Sequence, residues 1–390
     1  MHGNGQVVIR IPELLTGIVH RLDAQDQRKL MLVSRDFFYF VGPIVWKRVP
    51  RIDFLMRLIK GAIVDSLTMI LPRLFRYKIL ITLSPNPDLA RYNVYAPWVR
   101  ELEFFGERIL QEIENPSQLL NLLDGRPLLP NLHRITVYSI IPITRNSINL
   151  VNMFMNPSLK EIRTILHKEE ERGVLRGFPM RWSLAPVFMK QIEKACPQIH
   201  TLEFYPEDDW GGSSRSRDQC QSALSSFLNL RSFSSTTYIL EYAAFGTLGE
   251  LPLLESIAIR GSIYAGPVLN KTLSVPATWF PSLKELRLYE VHHEDIQALW
   301  EQPTIVKKLV SALIQIDCLV PPGSPNNALH AHGQSWIGPF YASLPHLSPH
   351  LQEVAFYIGS DGSKVEIKRQ NWESAGKGDP PPGVAHFMAL

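Results

Sequence analysis

Between residues 97 and 357 the hydrophobic positions of this chain recur as one short phrase, proline-x-aliphatic-x-x-aliphatic-x-apolar. Eight copies are legible: PWVRELEF from Pro97, PNLHRITV from Pro130, PSLKEIRT from Pro157, PQIHTLEF from Pro197, LNLRSFSS from Leu228, PLLESIAI from Pro252, PSLKELRL from Pro281 and PHLQEVAF from Pro349. Their starts lie 33, 27, 40, 31, 24, 29 and 68 residues apart, and most of these intervals suit stacked helix-strand repeats. The longest gap is expected to hold a degenerate copy around Leu313 to Leu319. Each phrase ends as a strand in which alternate residues, such as Leu102/Phe104, Leu202/Phe204 and Leu286/Leu288, face a core while the residues between them face outward. Helical stretches over 113–123, 187–195 and 305–313 precede several strands, and the proline ends each helix and turns the chain. One such unit cannot bury its apolar face alone, whereas a stack can. Recurrence of one eight-residue grammar favours that stack over a conventional α/β domain.

Parallel stacking would align two further sets of residues. Three places after the central aliphatic position stand Phe105, Tyr138, Ile165, Tyr205, Thr236, Arg260, Tyr289 and Tyr357, of which five are aromatic against 10% of the whole chain. Exposed rings in a groove offer large contact area with little side-chain entropy to lose, so Phe105, Tyr138, Tyr205, Tyr289 and Tyr357 are the expected protein-substrate face. The competing explanation is that strand ends favour aromatics in any case. Just before the central position, Glu101, Glu161, Glu285 and Glu353 are expected to be a solvated face.

Residues 11–50 follow a different, helical pattern. Pro12 suits a first helical position and Glu13 complements a helix N-terminus, while Leu14, Leu15, Ile18, Val19 and Leu22 share a stripe. Asp23 can cap a second helix, with Leu30, Met31, Val33 and Phe37 as its apolar face before Gly42-Pro43 breaks it. Ile44, Val45 and Trp46 form a third turn, and some rings of the run from Phe37 to Phe40 are expected to pack inward.

The order Ile11-Pro12-Glu13-Leu14-Leu15, Asp23, Val33-Ser34-Arg35, Trp46-Lys47-Arg48 resembles the F-box, and the phrases that follow resemble divergent, fungal-type leucine-rich repeats. The usual Asn or Cys after each strand is missing and the spacing is uneven, so an irregular arc is expected. The resemblance implies an α/β fold: a flexible start at 1–10, a short all-α F-box at 11–50, an irregular leucine-rich-repeat-like solenoid with parallel strands at 51–372 and a disordered tail at 373–390. It further implies the substrate-recognition subunit of an SCF-type (Skp, cullin, F-box) ubiquitin ligase. Ile11, Pro12, Leu14, Leu15, Ile18, Val33, Ser34 and Trp46 would dock the Skp-type adaptor of a cullin-RING ligase. The alternative is a repeat-based interaction scaffold with no ligase role; an α/β enzyme would instead require a deep pocket with convergent polar groups.

Composition narrows the partners. With 40 Lys and Arg against 37 Asp and Glu, the net charge of +3 supplies no basic field for nucleic acid. Three scattered cysteines, Cys196, Cys220 and Cys318, form neither a disulfide framework nor a zinc motif. No cofactor, metal or membrane partner is expected, and the chain is expected in cytoplasm or nucleus. No P-loop, GxSxG or HExxH occurs. His292-His293-Glu294 is the best metal-like cluster but lacks one-turn spacing, and Cys196 is expected to be a core residue. Segments 206–221 and 320–335 read as surface loops, the first carrying Trp210 as a potential contact, and 359–364 reads as a hairpin turn.

Overall fold

What the repeated phrase builds is a turn followed by a hook. In the computed structural model the third residue of the phrase returns its N–H to the carbonyl three residues back: Leu132 to Leu129 at 3.2 Å, Leu159 to Asn156 at 3.1 Å, Ile199 to Cys196 at 3.1 Å and Leu351 to Ser348 at 3.1 Å. The phrase-opening proline takes the second place of that turn, where its fixed φ is already correct. The next two residues then both donate to one carbonyl of the preceding copy. Arg231 and Ser232 donate to His200 O at 2.8 and 2.9 Å, Glu255 and Ser256 to Arg231 O at 2.8 and 2.9 Å, and Lys284 and Glu285 to Glu255 O at 2.8 and 3.0 Å. A parallel strand starts at each hook.

The structure describes residues 12–71, 74–104, 109–137, 144–164, 179–207, 214–261, 266–270, 274–316, 337–358 and 363–368. The chain is a mixed α/β protein dominated by parallel pairing, and it divides into one unit of residues 1–138 with 146–159 and another of 139–145 with 160–390.

The first unit begins with three helices, α1 (Pro12–Val19), α2 (Ala24–Leu30) and α3 (Arg35–Val45), and continues without a break into strand β1 (Arg48–Val49). A short helix, α4 (Ile52–Met56), leads to a long antiparallel pair, β2 (Lys60–Leu71) and β3 (Leu74–Asp88). Next come α5 (Ala90–Tyr95), β4 (Glu101–Phe104), β5 (Ile109–Ile113), α6 (Pro116–Leu123), β6 (Arg134–Val137) and α7 (Arg145–Asn152). β1, β4 and β6 pair in parallel, with Arg48 opposite Glu101 and Glu101 opposite Arg134, while β5 extends the β2–β3 pair. Asp53 of α4 is fully buried, and Arg51 holds its carboxylate through two bonds of 2.9 and 2.8 Å.

The second unit carries β7 (Glu161–Arg163), β8 (Pro179–Arg181), α8 (Ala185–Ala195), β9 (Thr201–Glu207), α9 (Ser214–Leu224), β10 (Ser232–Thr236), α10 (Tyr242–Gly249), β11 (Ser256–Arg260), β12 (Glu285–Tyr289), α11 (His293–Trp300), α12 (Pro303–Val306), β13 (Ser311–Ile316), α13 (Ile337–Leu347), β14 (Glu353–Ile358) and β15 (Ser363–Lys368). β7 pairs with the start of β9 and β8 with its end. The 40-residue interval therefore holds two strand segments where its neighbours hold one. β9 to β14 then pair in parallel with no slip, so Thr201, Ser232, Ser256, Glu285, Ser311 and Glu353 form one column, and β15 closes the series antiparallel.

The alternation places the core where the pattern predicts. Leu102, Phe104, Leu202, Phe204, Leu286 and Leu288 are all buried, each worth about 2 kcal/mol in transfer terms. The expected degenerate copy exists but starts earlier: Lys307 opens KKLVSALI, Leu309 closes its turn onto Val306 and β13 follows. The structure corrects several boundaries. Residues 305–313 are α12 and the start of β13 rather than a helix, and the helix of this copy is α11. Ile113 ends β5, and α9 occupies the C-terminal half of the segment read as a loop at 206–221. The second and third N-terminal helices part at Leu32–Ser34, not at Gly42-Pro43, which lie inside α3. The β2–β3 pair had no counterpart in the repeat reading. The tail from 373 and the loop 320–335 lie outside the described residues.

Two glycines test this packing. A Cβ on Gly261 would stand 2.1 Å from the Glu290 carbonyl oxygen, whereas one on Gly17 meets nothing within 4 Å. Gly261→Ala is expected to destabilise the fold by about 2 kcal/mol through overpacking, and Gly17→Ala in α1 to stabilise it by up to about 1 kcal/mol. Urea unfolding of both variants checks the pair.

Candidate functional site

The three N-terminal helices present two apolar faces where one would be enough to fold them. On α1, Leu15 and Val19 are one turn apart and buried, while Leu14 and Ile18, also one turn apart, are 51% and 46% exposed. Asp23 caps α2 by accepting from Gln25 N and Asp26 N, both at 2.8 Å. Gln27 closes the corner between the two helices, its Nε2 donating to Val19 O at 2.9 Å and Leu22 O at 3.2 Å. α2 buries none of its residues. The turn after it exposes Leu32 by 86% and Val33 by 65%, and Ser34 caps α3 by accepting from Phe37 N at 3.2 Å.

α3 anchors the group to the rest of its unit. Gly42 lies against the Trp98 indole so closely that a Cβ would stand 2.4 Å from the ring. Phe38 meets Tyr95 and Trp98 edge to face at 5.7 and 5.2 Å, so the aromatic run does pack inward in part. Tyr39 of the same run stays exposed.

Of the predicted adaptor-docking residues, Leu14, Ile18, Val33 and Ser34 are exposed. Pro12 opens α1, and Ile11 lies outside the described residues. Two expectations need correction. Leu15 is buried because it shares the inward stripe with Val19, and Trp46 is only partly exposed because its indole rests on Tyr95 at 4.6 Å. Leu32 and Tyr39 join the exposed set and were missed, since helical periodicity carries no information about a turn residue such as Leu32.

The strand-end column forms in register, with Thr236 opposite Arg260, Arg260 opposite Tyr289, Tyr289 opposite Gln315 and Gln315 opposite Tyr357. At two of its positions burial runs against the expected substrate face. Tyr205 and Tyr289 are buried. β8 runs beside the end of β9 with Pro179 opposite Tyr205, and burial pushes the Tyr205 phenol well above its ordinary range despite a hydrogen bond with Ser234. Phe105 and Tyr138 lie outside the described residues, as does Trp210.

The glutamates beside the column are occupied. Arg163 Nε holds Glu161 at 3.0 Å, Arg287 Nε and Ser256 Oγ hold Glu285 at 2.9 and 2.7 Å, and Arg134 lies 4.0 Å from Glu101. Buried Glu203 accepts from Thr164 N at 2.6 Å and from its hydroxyl at 3.2 Å.

His292, His293 and Glu294 bring ligand atoms within 4.8 Å of one another, closer than their adjacency in sequence suggests. The imidazoles are tilted by 31° at 4.4 Å, His292 Nδ1 accepts from Glu294 N at 3.3 Å, and the start of α11 opposes a cation. Asp295 next to them supports structure: its carboxylate accepts from Val268 N and Leu269 N at 2.9 and 2.8 Å, and burial raises its pKa. Among the described residues no helix is long and apolar enough to cross a membrane.

Cys196 and Cys220 are buried, and burial pushes the Cys220 thiol up to about 12. A thiol so placed is about one part in ten thousand thiolate at pH 8. In a Cys318→Ser variant neither cysteine is expected to react with an aromatic disulfide reagent at pH 8 until denaturant is added. Prompt reaction of the native protein would show that the repeats open locally. No family model matches the chain, and no curated protein matches it.

Proposed function

We propose that this chain is the substrate-recognition subunit of an SCF-type ubiquitin ligase, its first three helices docking a Skp-type adaptor and its repeats holding a protein substrate. The observation that carries the proposal is the second apolar face of those helices. Leu14, Ile18, Leu32 and Val33 stay exposed although Leu15, Val19 and Met31 already supply the helices with an inward face. Large aliphatic groups exposed on a short helix and on the turn after its neighbour are the chemistry of helix-in-groove docking, in which an apolar side spared from the fold is buried against a partner. The order of residues from Ile11 to Arg48 supports the same assignment, since the exposed positions Leu14, Val33 and Ser34 belong to the F-box-like pattern.

The repeats support the second half of the proposal. An irregular leucine-rich-repeat-like solenoid of parallel strands offers a long surface whose chemistry changes from copy to copy while its backbone stays fixed. In this reading the chain performs no bond chemistry itself. Its contribution is to hold substrate near the ubiquitin-loaded subunits, which raises their effective concentration.

The test must leave the fold intact. Leu15 is 4% exposed, so a charge there would unfold the helices and report nothing about docking. Leu14→Asp with Val33→Asp changes two exposed positions instead. The wild-type chain is expected to bind a purified Skp-type adaptor, and the double variant to bind at least a hundredfold more weakly with an unchanged unfolding midpoint. Absence of binding by the folded wild-type chain would refute the proposal.

A further inference from the structure

We infer that the turn rim of the second unit, at the start of strands β12 to β14, is a docking groove for an extended acidic polypeptide segment. The groove is a product of register. Three consecutive turns lie side by side there, and the second and fourth residues of each line an open depression of ≈ 400 Å³: Ser282 with Lys284, Lys308 with Val310, and His350 with Gln352. Among the described residues no carboxylate lines it. Lys284 and His350 are exposed and make no ion pair among the described residues, and Lys308 Nζ donates only to a backbone carbonyl, that of Phe280 at 3.3 Å.

Of the acidic side chains adjoining it in sequence, Glu285 and Glu255 are engaged and Glu353, next to Gln352, is exposed. Glu285 points to the other side of its strand and is held by Arg287 and Ser256, and Glu255 is held by Arg231 at 3.1 Å. The lining of the depression itself therefore carries Lys284, Lys308 and His350 and, among the described residues, no acidic side chain.

The rim continues beyond the depression with the same register. The fourth phrase position, whose carbonyl receives each hook, reads Lys160, His200, Arg231, Glu255 and Lys284 along the unit. Burial together with the positive charges of Lys160 and Arg231 lowers the pKa of His200, which places those three side chains in one field. Successive positions are one strand spacing apart, about 4.8 Å, so Lys160 to Lys284 spans roughly 19 Å. An extended peptide advances about 3.3 Å per residue and covers that span with about six residues. Lysine is a point charge that pairs with carboxylates without demanding planar geometry, so Lys284 and Lys308 in the depression and Lys160 at the far end of the rim match an acidic chain, while Arg231 and Glu255 between them hold each other. Nucleic acid fits less well, because the sequence as a whole has a net charge of only +3.

This inference names a partner class for the repeats and does not depend on the adaptor, so its test uses the purified full chain alone. A fluorescein-labelled peptide of eight glutamates and its eight-glutamine counterpart are titrated with wild type at low salt. Binding of the glutamate peptide alone is expected, with a tenfold loss of affinity between 50 and 300 mM salt. Lys284→Glu with Lys308→Glu is expected to weaken it at least tenfold, as is Lys284→Glu with His350→Glu, which touches only exposed side chains and guards against a folding defect. Lys190→Glu with Lys194→Glu on α8 is expected to change nothing. Equal binding of the glutamine peptide, indifference to the rim variants, or an equal loss in the α8 variant would overturn the inference. So would a single-stranded oligonucleotide that binds more tightly than the peptide through Lys284 and Lys308, since the occupant would then be a phosphate polymer.

Discussion

The hook at the start of each strand is the constraint on which the rest of this molecule depends. Two consecutive N–H groups converge on one carbonyl of the copy before, and that carbonyl belongs to the residue whose own N–H reaches one copy further back. Each hydrogen bond is worth only about 1 kcal/mol net, but together they leave a single register available. A one-residue slip would move Leu202, Leu286 and their equivalents from core to solvent. Register in turn decides which side chains become neighbours, and so it creates both the strand-end column and the turn rim.

The same device joins the N-terminal helices to the sheet. Lys47, directly after Trp46, supplies the carbonyl that Arg100 N and Glu101 N share at 2.8 and 2.9 Å, and Arg48–Val49 pair with β4. Asp53, buried against Arg51, and Gly42, flat against Trp98, fix the chain on either side of that junction. The helices are thus seated by the first unit, and the outward stripe of α1 is left free of that task. Apolar groups with no internal role are the part of this structure that asks for a partner.

Much of the fold was legible because its signal is local and repeated. Pro97, Pro130, Pro157, Pro197, Pro281 and Pro349 mark turns, and the alternation after them marks strands. The copy from Lys307 was expected too late in the chain because it lacks the proline while keeping Leu309, Ala312 and Ile314 in place. The β2–β3 pair escaped because residues 60–88 lie ahead of the repeated phrase and carry none of its copies. The site was less legible. Periodicity puts Leu14, Leu15 and Ile18 on one stripe, yet only the tertiary contacts of α1 decide that Leu15 turns inward and Leu14 outward. Tyr205 and Tyr289 are both buried, and beside Tyr205 runs β8, a strand whose three residues carry no periodic signal. The rim was missed for a simpler reason: its cations occupy the second and fourth places of the phrase, which vary in residue type, and only the hooks show that those places adjoin.

The most direct measurement is hydrogen exchange on the full chain with and without a saturating Skp-type adaptor. If the outward face of the first three helices is the docking surface, protection will rise in residues 12–19 and 30–38 and stay unchanged along β9 to β14. Protection centred on the strands, with exchange over residues 12–38 unaltered, would contradict the assignment of the helices as the docking element.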